Sequence, residues 1–159
     1  MVRERNKMEG VVEYTLFIGV GVFLTLQLLA GSIVIGLFCG TLLSILRYKG
    51  IFVPVINRDI SIIRGTPVIL QLSFVYFSVP GLIGIKLTIL TAGIITFGLN
   101  SSAYIAEVLR SGIESLPKGQ FEAAQTLQIR TLYMWKDIIL PQVMRNILPS
   151  LINETIALL

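Results

Sequence analysis

Histidine is absent from this chain of 159 residues, cysteine occurs once, and charged residues make up only 14%. Each shortage excludes something. With no histidine, and with Cys39 inside an apolar run, neither a familiar catalytic triad nor a zinc site is expected, so no metal is assigned. A single thiol rules out an intrachain disulfide and reads as a small buried hydrophobe. No G-x-x-x-x-G-K-[ST] run occurs, so the chain lacks a standard P-loop and any ATP must be hydrolysed elsewhere. The chain reads as a non-enzyme without a cofactor of its own. Nor is there the basic and aromatic interleaving that binds single-stranded nucleic acid. Soluble domains carry about 25% charged residues; here there are too few to cover a water-facing surface.

What is present is apolar: 54% of residues are hydrophobic and the mean hydropathy is +0.83. An all-α, polytopic membrane bundle follows. A span needs about 20 apolar residues, and four stretches qualify as expectations: Val20–Leu46, Thr66–Ile85, Leu87–Val108 and Asp137–Leu159. The apolar run from Tyr14 to Leu46 exceeds the core of a cleavable signal peptide, so the first span is retained. Residues 1–19 are then a tail and 20–159 the membrane domain. Within the first span Ser32, Gly36, Gly40 and Ser44 recur every four residues. That spacing predicts one face packed closely against another helix, without saying which.

Charge sets orientation. Arg47, Lys49, Arg58 and Arg64 follow the first span, Arg110, Lys118, Arg130 and Lys136 follow the third, and Lys86 alone lies between. Positive residues concentrate in cytoplasmic loops, so both basic segments face the cytoplasm and the amino terminus lies outside. Arg3, Arg5 and Lys7 vote mildly against this.

The stretch "PKGQFEAAQTL", Pro117 to Leu127, is therefore a cytoplasmic excursion within a loop at about 109–136. Pro117 suits a first helical turn, and Glu122 near that end suits the dipole. At 100° per residue, Phe121, Ala123, Ala124 and Leu127 gather on one face, while Glu122, Thr126 and Ile129 point away. Two alanines make the face shallow. It fits either a groove in a partner or the chain's own bundle.

Polar residues at membrane depth are costly and mark a pathway by default. Asn100, Ser101 and Ser102 lie in the third span, and Asn153 and Glu154 in the last. Glu154 suits a cationic group of a substrate, and the amide and hydroxyls suit hydrogen bonding; the same Asn and Ser residues also serve as glue between helices. The run Arg64-Gly65-Thr66-Pro67 predicts a break, since proline removes a helical hydrogen bond. Broken helices at membrane depth often line cavities, which makes these four residues hinge or gate candidates. Arg64 reads either as a gate or as a side chain snorkelling to headgroups. Pro141 and Pro149 suggest similar breaks.

The runs "LNSSAYIAEVLRSGIESLPKGQFEAAQTL" and "IILPQVMRNILPSLINETIALL", with "RGTPVILQLSFVYF" upstream, closely resemble the permease subunits of bacterial ABC importers for polar amino acids. These are of the histidine, glutamine, glutamate, arginine and opine type. The resemblance runs from about Gly19 to the end. It implies the fold of a type I importer permease in the cytoplasmic (inner) membrane, here with about four spans. It also implies a second permease subunit, as homodimer or heterodimer, two cytosolic ATPases and an extracytoplasmic amino-acid-binding protein. The Glu-Ala-Ala segment would be the coupling helix that docks the ATPase, through Gly119, Glu122, Ala123, Ala124, Leu127 and Gln128. The resemblance also places residues related to Asn100 at the pore.

The sequence departs from the family pattern in two places. Position 128 usually holds glycine, whose freedom to take φ > 0 glutamine resists. Relatives also continue past the "LL" of residues 158–159 with a Lys-Asp-Thr-Ser-like stretch and another span, so a truncated permease lacking its last span is expected. Two rival functions stand beside it. A secondary transporter would need charged relays, for which only Glu154 and Arg145 are available. The other rival is a remnant or regulatory membrane subunit that keeps the docking helix without a complete pore.

Overall fold

The computed structural model describes residues 2–158, with side chains from Tyr14 onward. Arg3, Arg5 and Lys7 therefore lie outside the described side chains. Helix α1 (Val2–Tyr48) is 47 residues long, about 70 Å at 1.5 Å per residue. The tail expected over residues 1–19 is helical from Val2 and runs into the span without a break. After it come α2 (Val53–Gly65), α3 (Val68–Ile83), α4 (Ile89–Glu114), α5 (Lys118–Thr126) and α6, residues 131–157.

The four-residue repeat of small side chains in α1 finds its partner in α4. Ser32, Gly36, Gly40 and Ser44 are all buried. A Cβ added at Gly36 would come within 2.7 Å of the Ser101 Cβ, and one at Gly40 within 2.8 Å of the Ser102 carbonyl oxygen. The contact is reciprocal, because Gly98 of α4 receives Ile35 of α1. In lipid, where apolar area gives helices little reason to associate, such close approach provides the attraction. At the end of this seam Arg47 bonds Glu107 at 2.8 Å, and Glu107 also pairs with Arg110. Arg110 in turn holds Glu114 at 2.6 Å.

The expected break at Gly65–Pro67 is present. Thr66 is extended (φ −108°, ψ 130°), as a residue before proline should be, and α2 and α3 meet at 102°. Gln71 staples the corner: its Nε2 donates to the carbonyls of Ile63 at 2.7 Å and Thr66 at 2.9 Å. Ile56 and Ile60 of α2 pack on Ala103 and Ala106 of α4.

Two or three of the expected spans stand out by length and apolarity among the described residues. Tyr14–Tyr48 and Ile89–Glu114 are long and apolar enough to cross a membrane, and the bent α2–α3 pair makes a third if it is one span. The expected fourth, α6, falls short because Gln142, Arg145, Asn146, Asn153 and Glu154 dilute its apolar surface. Nor does α6 break at its prolines. Residues Met134–Ile139 widen into a π-helix two positions before Pro141, and Pro149 sits inside the continuing helix. In α3 the π-helical Phe74–Ser78 likewise stands two positions before Pro80. A wider turn moves the carbonyl that a proline ring would otherwise strike.

Candidate functional site

Two regions hold the residues singled out in the sequence. The first is α5. Its inward side is Phe121 and Ala124, packed with Leu116, Met134, Ile139, Val143 and Ile147. Ala124 is 2% exposed, so it belongs to the bundle and not to a shared outer alanine face. Glu122 and Ala123 are exposed, Leu127 is 71% exposed, and Gly119 has open space around it. The even 100° wheel fails at its end because the helix stops at Thr126. Beyond that point Ile129 turns back onto the core, against the expectation that it points away.

Gln128 makes that turn. It takes φ 53°, the left-handed conformation that glycine favours. Around it the Ile129 N–H bonds the Ala124 carbonyl at 3.0 Å and the Gln128 N–H bonds the Gln125 carbonyl at 2.9 Å, the pattern of a Schellman cap. Glutamine thus makes the glycine-type bend, at the steric cost of a side chain in the left-handed region. Gln128→Gly is expected to stabilise the chain by about 0.5–1 kcal/mol, the steric relief less the entropy of a freer unfolded chain. A rise in thermal midpoint in detergent would show it; a fall would mean that the glutamine side chain stabilises the loop in some other way.

The second region is the polar row within the bundle. The Ser101 hydroxyl donates to Glu154 Oε1 at 2.9 Å, joining α4 to α6. Asn100 turns elsewhere, its Nδ2 reaching Gln71 Oε1 at 3.5 Å. Ser102 bonds the Leu99 carbonyl of its own helix at 2.7 Å and is buried against α1. Asn153 is exposed. Ser101 and Glu154 are therefore brought together, Asn100 is joined to the hinge through Gln71, and Ser102 belongs to the packing seam. Of the hinge residues, Arg64 lays its guanidinium over the Tyr104 ring at 4.8 Å, a cation–π contact with α4. Thr66 and Pro67 form the corner, and Gly65 ends α2 with nothing packed on it. The sequence reading gave no role to Gln71, although a lone amide four residues after a proline break was the available signal.

Comparison with known proteins gives this geometry a family. Residues 32–159 match the family described as binding-protein-dependent transport system inner membrane component. The putative glutamine transport system permease protein of Rickettsia bellii is 47% identical over 146 residues, covering 91% of this chain and 67% of the relative. The arginine transport system permease protein of Bacillus subtilis is 40% identical over 144 residues, covering 89% of this chain and 66% of the relative. The chain thus spans about two thirds of the length of these relatives. Among solved structures, the crystal structure of an amino acid ABC transporter with histidines superposes with a TM-score of 0.82 at 35% identity. That match covers 93% of this chain and 70% of the other. With two or three apolar spans in the bundle, and a match over most of its length, the chain belongs to the family of binding-protein-dependent transport system inner membrane components.

Proposed function

We propose that the chain is the membrane-spanning subunit of an ATP-driven importer of polar amino acids, and that it docks a cytosolic ATPase through α5. The observation that carries the docking reading is the two-sided character of α5. Phe121 and Ala124 fasten it to the bundle, which leaves Glu122, Ala123 and Leu127 outward with a large apolar side chain in water. A short helix within the second basic segment lies on the cytoplasmic side by the distribution of positive charge, with the amino terminus outside. There a partner would cover Leu127 and meet the Glu122 carboxylate with a basic group. Ala124 acts from beneath by letting α5 seat closely, and Gly119 leaves room for approach. A second permease subunit and an extracytoplasmic binding protein complete the assembly; the family's description as binding-protein-dependent supports the latter.

In this reading the pathway passes Ser101 and Glu154, with Asn100 reporting to the α2–α3 corner through Gln71. Closure of the ATPases would draw the coupling helices together and turn the paired bundles from inward- to outward-facing. Support for the amino-acid class comes from relatives named for glutamine and arginine transport and from a half-buried carboxylate beside a hydroxyl donor.

The test is capture of the ATPase by an epitope-tagged chain in mild detergent. Leu127→Asp and Ala123→Arg are expected to reduce capture by at least about tenfold, since burying an unpaired charge costs several kcal/mol, while leaving the thermal midpoint unchanged. Undiminished capture by both variants would remove α5 as the docking element.

A further inference from the structure

Trp135 is the single tryptophan of the chain, and it stands between two other rings. Tyr48, the last residue of α1, lies edge-on to it with centroids 4.9 Å apart and planes at 82°. Phe121 of α5 lies 6.2 Å away at 66°. Both separations fall within the range where aromatic rings attract one another edge to face.

The positions of these rings matter more than their energies. Phe121 is the inward neighbour of the exposed Glu122 and Ala123. Tyr48 adjoins Arg47, whose guanidinium is bonded to Glu107 of α4. The same α1 is seamed to α4 through Gly36 and Gly40, opposite Ser101 and Ser102. One continuous set of contacts therefore runs from the outer face of α5, through two rings, to the end of α1 and into the helix that carries the polar row.

Trp135 also lies in the π-helical stretch Met134–Ile139. Such turns are rare and concentrate at functional sites. A π turn holds one residue more than an α turn needs, and here the wider turn lets the helix pass Pro141. The indole is half-buried, not locked in the core.

We propose that Trp135 is a positioning residue that carries displacement of α5 to the end of α1, so that movement of the docking helix shifts α1 and α4 as a pair. The proposal rests on the docking reading above. Its test uses the transporter assembled in lipid with its ATPase and binding protein. W135A is expected to capture the ATPase as the parent does, while ATP hydrolysis stimulated by the binding protein and amino-acid uptake fall by about tenfold, the scale of a typical coupling between sites. W135F, which keeps a ring between Phe121 and Tyr48, is expected to restore most of both. A spectroscopic measurement guards against a merely structural role. With 5-fluorotryptophan in this chain alone, the fluorine resonance is expected to shift when ATP is added, and to stay fixed when Leu127→Asp is also present. Normal uptake by W135A, equal impairment of W135A and W135F, or a stationary resonance in the docked parent would each overturn the proposal. Failure of the parent chain to capture an ATPase would instead overturn the docking reading, and this proposal with it.

Discussion

Gly40→Leu is expected to prevent the bundle from assembling, whereas Gly21→Ala in the same helix leaves it intact. The difference lies in what each position faces. At Gly40 a Cβ alone would meet the Ser102 carbonyl at 2.8 Å and Ile105 atoms at 2.9 Å. The carbonyl belongs to the backbone of α4, so it cannot rotate away as a flexible side-chain tip would. Overpacking by a methyl or methylene typically costs 1–3 kcal/mol, and about that loss is expected for Gly40→Ala. Leucine adds three further carbons along the same line, and a protein's whole stability is only about 5–15 kcal/mol. Gly21 has nothing within 4 Å, and alanine favours a helix by up to about 1 kcal/mol over glycine. Thermal unfolding in detergent, with monodispersity as a second readout, checks the contrast. A Gly40→Leu chain that unfolds at the parental temperature would mean that α1 and α4 do not pack through this seam.

The same seam marks how far the sequence could be read. Ser32, Gly36, Gly40 and Ser44 announce close approach because their spacing is a local property of one helix. Their partner depends on contacts about 60 residues away, which no local pattern encodes. The break at Pro67 was legible for a similar reason: proline constrains the residue before it wherever it stands. The 102° corner and its Gln71 staple were not, since the amide bonds carbonyls on the far side of the break. Arg47 counted in the sequence only as a loop charge, yet its bond to Glu107 spans 60 positions. Ser101 and Glu154 were each candidates, but their pairing across 53 positions emerges only when α4 and α6 pack. At α5 the helical wheel misjudged Leu127 and Ile129 because they lie past the helix end at Thr126, where Gln128 turns left-handed; Ala123 lies within the helix, nearly opposite Phe121, and so faces outward. Glutamine at the position where relatives of this type usually carry glycine looked like a departure in geometry. Gln128 nonetheless takes the left-handed conformation that glycine favours.

Glu154→Gln is expected to lower amino-acid uptake by about 10–100-fold, the effect of losing a charged partner worth about 1.5–3 kcal/mol. Among the described residues Glu154 has no ion-pair partner. Ser101 gives its carboxylate one hydrogen bond at 2.9 Å and no charge. A half-buried carboxylate that accepts one hydrogen bond from a hydroxyl leaves acceptor capacity for a cation, and on the proposed reading the substrate's ammonium supplies it. Glutamine preserves the shape and still accepts from Ser101, so the variant removes charge with little change in packing. Ser101→Ala tests the other half of the pair. It deletes one hydrogen bond to a charged group that has other polar possibilities, and a smaller fall of about 2–10-fold is expected. Neither change touches α5, so ATPase capture should persist in both variants and separate a pathway defect from a docking defect. Uptake in proteoliposomes containing the whole transporter is the measurement. Parental uptake by Glu154→Gln would take this carboxylate out of the pathway and reduce the Ser101 bond to a clasp between α4 and α6.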